Sequence, residues 1–285
     1  EVPLVTCPGN MTLNTNAGGS CQVTIPDYVA LLAPTDNCTP PAGIIESQNI
    51  PAGPFNVSGD GAVLTLTYSA ADGNHALNVT TCVILLTIND DDAPVVNCPA
   101  NTTVFTNPES GCQITVPNYV ALLNPSDNCV AAGSIIESQS VAAGPLNTAG
   151  HGSTVTVVYV ASDGALPANT VSCTVVLTVS DNKPPVMTCP GSVTLNNDAN
   201  QCGAVVNYVL PTATDNCQMM GLDHLSGGLS GSFFPVGSTA VTWMATDAAN
   251  NTETCSFNIT VADVQMPSIA CPTQQTRNTD PNICT

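Results

Sequence analysis

The sequence predicts an all-β chain of tandem antiparallel sandwiches stapled by disulfides. Three observations predict it: 14 cysteines that recur with a long period, apolar residues at every second position, and Pro and Gly punctuating runs of Val, Thr, Leu and Ile. The period comes first. Cys7, Cys21, Cys38 and Cys82 are separated by 14, 17 and 44 residues, and Cys98, Cys112, Cys129 and Cys173 repeat those steps. Cys189, Cys202, Cys217 and Cys255 give 13, 15 and 38, and Cys271 and Cys284 open a fourth set with a step of 13. The first cysteines lie 91, 91 and 82 residues apart, so the expected repeats are 1–92, 93–183 and 184–264, with 265–285 the first strand of an incomplete fourth.

The text of the repeats agrees. Thr24–Cys38 reads TIPDYVALLAPTDNC and Thr115–Cys129 reads TVPNYVALLNPSDNC, while IIESQ occurs at Ile44–Gln48 and again at Ile135–Gln139. Tyr28, Tyr119 and Tyr208 share one register, and Tyr68, Tyr159 and Trp243 share another. An aromatic at a fixed place in a β-run is read as a core anchor. In the late strands, Cys82, Ile84, Leu86 and Ile88 alternate with polar or outward residues, as do Cys173, Val175, Leu177, Val179 and Cys255, Phe257, Ile259, Val261. That period of two is expected of a sheet with one wet face. Repeats of about 90 residues with about seven short strands fit an immunoglobulin-like sandwich.

Composition removes several functions. Lys183 and Arg277 are the only basic side chains against a formal net charge of −19. Phosphate binding needs clustered cations, so nucleic acid is excluded as a natural partner, and docking on an anionic membrane is disfavoured. No apolar run is long enough for direct membrane insertion. Regular cysteines imply an oxidising, extracellular or cell-surface location. No Cys-x-x-Cys pair favours zinc, and only His75, His151 and His224 could assist. No secretory leader precedes Glu1, which reads as a mature or excised piece of a longer protein.

The third repeat carries a recognisable set of marks: Cys189-Pro190, Asp215-Asn216-Cys217, Gly231-Ser232-Phe233-Phe234-Pro235-Val236-Gly237, Ala245-Thr246-Asp247 and Cys255-Ser256-Phe257. It resembles a hyalin repeat (HYR) domain. The first two repeats keep the Cys-Pro, Asp-Asn-Cys and late-cysteine marks but lack the Phe-Pro-Val-Gly stretch and have longer middles. The resemblance implies extracellular modules of adhesive or matrix-like proteins, and no catalytic residues. If the strand order is immunoglobulin-like, the Asp-Asn-Cys cysteine and the late cysteine share a pole, giving Cys38–Cys82, Cys129–Cys173 and Cys217–Cys255. Cys7–Cys21, Cys98–Cys112, Cys189–Cys202 and Cys271–Cys284 are then expected within repeats, if the chain bends after Cys-Pro. The alternative joins repeats, for example Cys21–Cys98.

Asp90, Asp91 and Asp92 precede Ala93-Pro94 at the first junction, and Asp181 precedes Lys183-Pro184 at the second. With Asp127 and Asp163, which the assumed topology turns toward the first junction, they are candidate calcium ligands that look similar to cadherin linkers. The plainer reading is solvated acidic turns. No cofactor is required, and calcium is the one candidate. Sequons at Asn10, Asn56, Asn78, Asn101, Asn250 and Asn258 are candidate glycosylation sites, and Asn37 abuts a cysteine. No Gly-x-Ser-x-Gly elbow is present, and Asp223-His224 beside Ser226 reads as a loop coincidence, so the chain is not expected to be an enzyme.

The expected function is a rigid tandem-repeat stalk or filament subunit with head-to-tail self-association. The alternative is an adhesin that grips glycans or other surface proteins through loops such as Gly53–Gly61 and Gly144–Gly152. Gln265–Thr285, with apolar Met266, Ile269 and Ile283, is a strand without a sandwich and a candidate for donation to a neighbour's sheet edge.

Overall fold

A computed structural model describes residues 1–16, 19–73, 78–107 and 111–275. The chain is nearly all β. The first repeat contains β1 (Met11–Asn14), β2 (Gln22–Ile25), β3 (Ile44–Gln48), β4 (Gly53–Asn56), β5 (Val63–Asp72) and β6 (Val79–Asn89). The second contains β7 (Thr102–Phe105), β8 (Gln113–Val116), β9 (Ile136–Gln139), β10 (Gly144–Asn147), β11 (Thr154–Ser162) and β12 (Thr170–Ser180). The third contains β13 (Val186–Thr188), β14 (Val193–Asn196), β15 (Gly203–Val206), β16 (Thr212–Thr214), β17 (Met219–Ser226), β18 (Ser232–Pro235), β19 (Gly237–Asp247) and β20 (Thr252–Ala262).

Each repeat pairs a four-stranded sheet with a two-stranded one. The larger sheets run β1-β6-β5-β3, β7-β12-β11-β9 and β14-β20-β19-β17, and the smaller are β2-β4, β8-β10 and β15-β18. The third repeat adds β13-β16, whose counterparts in the others are the single bridges Leu4↔Thr35 and Val95↔Ser126. Contacts group the chain into two compact units. One is Glu1–Val104 with Ile114–Leu146 and Gly152–Val179; the other is Phe105–Gln113 with Asn147–His151 and everything from Ser180 onward. Each unit contains one junction between repeats.

The alternation expected from sequence becomes the core. Leu66, Tyr68, Ile84, Leu86 and Ile88 pack in the first repeat, Val157, Tyr159, Val175, Leu177 and Val179 in the second, and Val241, Trp243, Phe257, Ile259 and Val261 in the third. The anchoring tyrosines are fixed by the repeated text. Tyr68 donates its hydroxyl to Glu46, and Tyr159 donates to Glu137 at 2.5 Å. Gln48 accepts from Tyr28 N at 2.8 Å and donates to Pro26 O and Ile50 O, and Gln139 does the same around Tyr119. The IIESQ string is therefore a clamp: its Glu holds one tyrosine and its Gln the other. Between β2 and β3, YVAL forms a single helical turn capped by Asp27, and Asn118 caps its copy in the second repeat. In the third repeat Pro211 follows Leu210 and disfavours that turn.

The disulfides differ from expectation. They are Cys7–Cys82, Cys98–Cys173 and Cys189–Cys255 within repeats, and Cys21–Cys129 and Cys112–Cys217 between them. Cys38–Cys82, Cys129–Cys173 and Cys217–Cys255 do not form, nor do Cys7–Cys21, Cys98–Cys112, Cys189–Cys202 or Cys21–Cys98. The reason is register. β1 runs parallel to β6 with Met11 opposite Leu86, an offset of 75, and Cys7 lies that same 75 residues before Cys82. β14 runs parallel to β20 with Val193 opposite Ile259, an offset of 66, which is the separation of Cys189 and Cys255. The first and third intra-repeat cystines thus extend parallel ladders, and Cys98–Cys173 keeps the separation of 75 found in the first repeat. Cys38, Cys202 and Cys271 are free and exposed, and Cys284 lies outside the described residues, so Cys271–Cys284 is not described.

Two smaller expectations also change. Gly53–Gly61 and Gly144–Gly152 begin as strands β4 and β10 rather than as open loops. Asp223-His224 and Ser226 lie on β17, not in a loop, and the His224 ring meets Trp243 edge-on at 5.1 Å.

Candidate functional sites at the repeat junctions

Each junction is built from an Asp-Asn-Cys turn. At the first, Asp127 Oδ1 accepts from Cys129 N and Val130 N, both at 2.8 Å, which curls the turn and presents the cysteine. Cys21, just ahead of β2 in the preceding repeat, meets it with Cα atoms 4.7 Å apart. Asn128 Nδ2 donates to Asp92 at 2.8 Å. The linker is held from both sides: Asp90 N donates to Asp60 at 3.0 Å, and Thr15 Oγ1 donates to Asp90 Oδ1 at 3.0 Å. From the second repeat, Asn169 Nδ2 donates to Asp90 O at 2.8 Å and to Asp163 Oδ2 at 2.7 Å.

The second junction repeats this plan. Asp215 Oδ1 accepts from Cys217 N at 2.8 Å, and Cys217 joins Cys112 with Cα atoms 4.4 Å apart. Asn216 Nδ2 reaches Thr106 Oγ1 at 3.2 Å and Asp181 Oδ1 at 3.3 Å. Asn251 Nδ2 donates to Asp181 O, Lys183 O and Asp247 Oδ2 at 3.3, 3.4 and 2.8 Å. His151 Nδ1 accepts from Asp181 N at 3.1 Å where the first junction uses Asp60.

Both junctions gather carboxylates. Asp181, Asp215 and Asp247 each offer an oxygen within 4.8 Å of the others. At the first, burial chiefly raises the pKa of Asp90 above the carboxylate range, and the charges of Asp127 and Asp163 add to the effect. Asp215 is raised in the same way, by burial first and then by Asp181 and Asp247. Asp90 is 2% exposed, yet its Oδ2 has no hydrogen-bond partner; Asp127 Oδ2, Asn128 Oδ1, Asp215 Oδ2 and Asn216 Oδ1 are also buried without one. Buried oxygens without donors are costly, and a hard cation is the group that would satisfy several at once.

Sequence reasoning named Asp90, Asp92, Asp127, Asp163 and Asp181, and each lies at a junction. Asp91 instead accepts from Asn14 on the exposed side, at 2.8 Å. Missed were Asp215, Asp247 and the asparagines Asn128, Asn169, Asn216 and Asn251; the Asp-Asn-Cys string and its spacing were the available signal. Among the sequons, Asn10, Asn56, Asn101, Asn250 and Asn258 are exposed and Asn78 is half-buried. Asn10 and Asn101 also use their side-chain oxygens to accept from Leu85 N and Val176 N. Five disulfides among the described residues belong to an oxidising compartment. No described helix is long and apolar enough to cross a membrane.

Comparison with known proteins places residues 180–261 on the HYR domain family model, as the marks of the third repeat led one to expect. Over 274 residues the chain is 28% identical to hyalin of Strongylocentrotus purpuratus, covering 94% of this chain and 22% of that protein. It is 27% identical over 231 residues to hyalin of Lytechinus variegatus, covering 75% of this chain and 43% of that one. The chain thus spans less than half the length of these curated relatives. Among solved structures, mouse cadherin-23 EC22-24 aligns over 92% of this chain and 99% of that one at 16% identity, with a TM-score of 0.34.

Proposed function

We propose that this chain is a non-catalytic, load-bearing segment of an extracellular fibre or stalk, self-associating head to tail. The observation that carries the reading is the pair of cystines between consecutive repeats, Cys21–Cys129 and Cys112–Cys217. A string of independent binding modules gains nothing from covalent bonds across each junction, whereas a stalk gains stiffness. The adhesin alternative has less support. The six repeat aromatics that could form a sugar platform are core residues, and the far end of the Gly53–Gly61 segment is engaged at the junction through Asp60. The test is electron microscopy of the purified chain, with and without reduction. Filaments or stiff particles that become flexible on reduction are expected; globular single particles under both conditions would overturn the reading.

A second reading is favoured by the orphaned junction oxygens: the carboxylates of each junction hold calcium. Asp90, Asp127 and Asp163 would supply the ligands at the first, and Asp181, Asp215 and Asp247 at the second. Isothermal titration with calcium, and melting in calcium against chelator, test it. Heat of binding near two sites and a lower melting temperature in chelator are expected, and a flat titration removes the idea.

A further inference from the structure

Three residues after the first cysteine of each repeat stand Asn10, Asn101 and Ser192, and three residues after the late cysteine stand Leu85, Val176 and Asn258. The cystines Cys7–Cys82, Cys98–Cys173 and Cys189–Cys255 bring the two positions together. One hydrogen bond then joins them in every repeat. Asn10 Oδ1 accepts from Leu85 N at 2.9 Å, Asn101 Oδ1 from Val176 N at 2.8 Å, and Ser192 Oγ from Asn258 N at 3.1 Å. The bond lies at the head of the edge strands β1, β7 and β14, where each adjoins β6, β12 or β20.

The residue types at the two positions exchange. Asn10-Met11-Thr12 and Asn101-Thr102-Thr103 are sequons at the first position, bonded to Leu85 and Val176. In the third repeat Ser192-Val193-Thr194 keeps the threonine and loses the asparagine, and the sequon passes to the bonded partner, Asn258-Ile259-Thr260. The first two repeats carry the matching threonines Thr87 and Thr178 without that asparagine. Threonine is common in strands, so the threonines alone carry nothing. The asparagine is what matters: each repeat has it at one member of the bonded pair and never at both. The other sequons do not recur. Asn147 and Asn169, the counterparts of Asn56 and Asn78, lack Ser or Thr two residues on, and Ala168 is the counterpart of Asn250.

The geometry suits attachment of a sugar. Asn10, Asn101 and Asn258 are all exposed. Asn10 and Asn101 use the side-chain oxygen in the shared bond and Asn258 uses its backbone nitrogen, so the bond leaves the side-chain nitrogen uncommitted. Beside the site in the first repeat, Val83 and Leu85 are 59% and 39% exposed on the outward face of the sheet.

We infer that the chain carries one N-linked glycan per repeat at this shared place, on Asn10, Asn101 and Asn258. The site stands apart from the fibre reading. A glycan there covers apolar surface on the outer sheet face and shields an edge strand, whose open backbone groups would otherwise pair with another chain. The donor class is a lipid-pyrophosphate-linked oligosaccharide. The side-chain amide nitrogen attacks the anomeric carbon of the donor sugar. The nitrogen–carbon bond forms, the carbon–oxygen bond to the pyrophosphate breaks, the lipid pyrophosphate leaves and the amide gives up one proton.

The test is to secrete the 285-residue chain from cultured animal cells behind a secretion leader, then deglycosylate it enzymatically in heavy-oxygen water and map the peptides. Each asparagine that held a glycan is read as labelled aspartate. Label at Asn10, Asn101 and Asn258 is expected. Combining Ser192→Asn with Asn258→Gln should return the third glycan to position 192. The mapping is read on the unaltered chain, so it does not depend on how the variant folds. An unlabelled Asn258 beside labelled Asn10 and Asn101, or a secreted variant bare at position 192, would overturn the shared place. Absence of label at all three would overturn the modification itself, and none of these results bears on the fibre reading.

Discussion

The two repeat junctions are built on one plan and charged differently. Both have a cystine, an Asp-Asn-Cys turn and an asparagine that ties the linker to the next repeat. At the first, Asp60 accepts from the linker amide and Asp92 accepts from Asn128; at the second, His151 and Lys183 stand in those registers. The bonds that hold position are kept while the acidity around them changes. Covalent attachment and charge are thus separable parts of the joint, and each can be perturbed without the other.

The largest expected effect comes from the shared part. Replacing both cysteines of either junction by serine, C21S/C129S or C112S/C217S, opens loops of similar span, 108 and 105 residues. In the chain-entropy model each cystine is worth about 5 kcal/mol, so the two double variants should lose similar stability. Denaturant melts check this, and a difference above about 2 kcal/mol would mean that the junctions are not equivalent supports.

Charge should then separate them. In chelator, Asp90→Asn at the first junction and Asp215→Asn at the second should each hold or raise the melting temperature, because burial already disfavours these carboxylates. If calcium binds, the same variants should weaken it at least tenfold by titration. Lys183→Asp should strengthen the calcium response of the second junction toward that of the first, and no change would break the link drawn between acidity and site.

A smaller contrast lies in the tying asparagines. Both asparagines also hold an aspartate of their own repeat, Asp163 at 2.7 Å and Asp247 at 2.8 Å, so the contrast lies in the linker: Asn169→Ala removes a 2.8 Å bond to Asp90 O, whereas Asn251→Ala removes bonds of 3.3 and 3.4 Å to Asp181 O and Lys183 O. Losses of about 2 kcal/mol and about 1 kcal/mol are expected, read by thermal unfolding. Smallest at neutral pH is the tyrosine effect. Burial, then the bond and charge of Glu46 or Glu137, hold the Tyr68 and Tyr159 phenols above the ordinary value of 10.0. The folded state keeps protons that the unfolded chain loses, so stability falls as pH rises past about 10. Absorbance at alkaline pH should show these phenols ionising only as the sandwiches unfold.

Much of this was legible in the sequence. The sandwich repeats, the core registers of Tyr68, Tyr159 and Trp243, and the acidic junctions follow from spacing and alternation. The disulfide partners within repeats were not legible, because they depend on a parallel pairing between residues 75 or 66 apart that no local pattern announces. One signal did point that way. Cys82 alternates in phase with Ile84 and Leu86, so it faces inward, whereas Cys38 sits in a turn string that keeps it at the surface. The joint residues Asn169 and Asn251 were hidden for a similar reason: they act across a junction, on the backbone of another repeat.

The parallel cystine also sets how far the chain can stretch under load. Tension entering near Cys7 passes through sulfur to Cys82 and skips the whole sandwich between them. Only the 16 residues from Cys82 to Cys98 remain to lengthen per repeat, about 55 Å when fully drawn out. A reduced repeat of 91 residues could pay out about 310 Å. Oxidised, the molecule behaves as a cord of short stops, one that yields a little at each and cannot unravel.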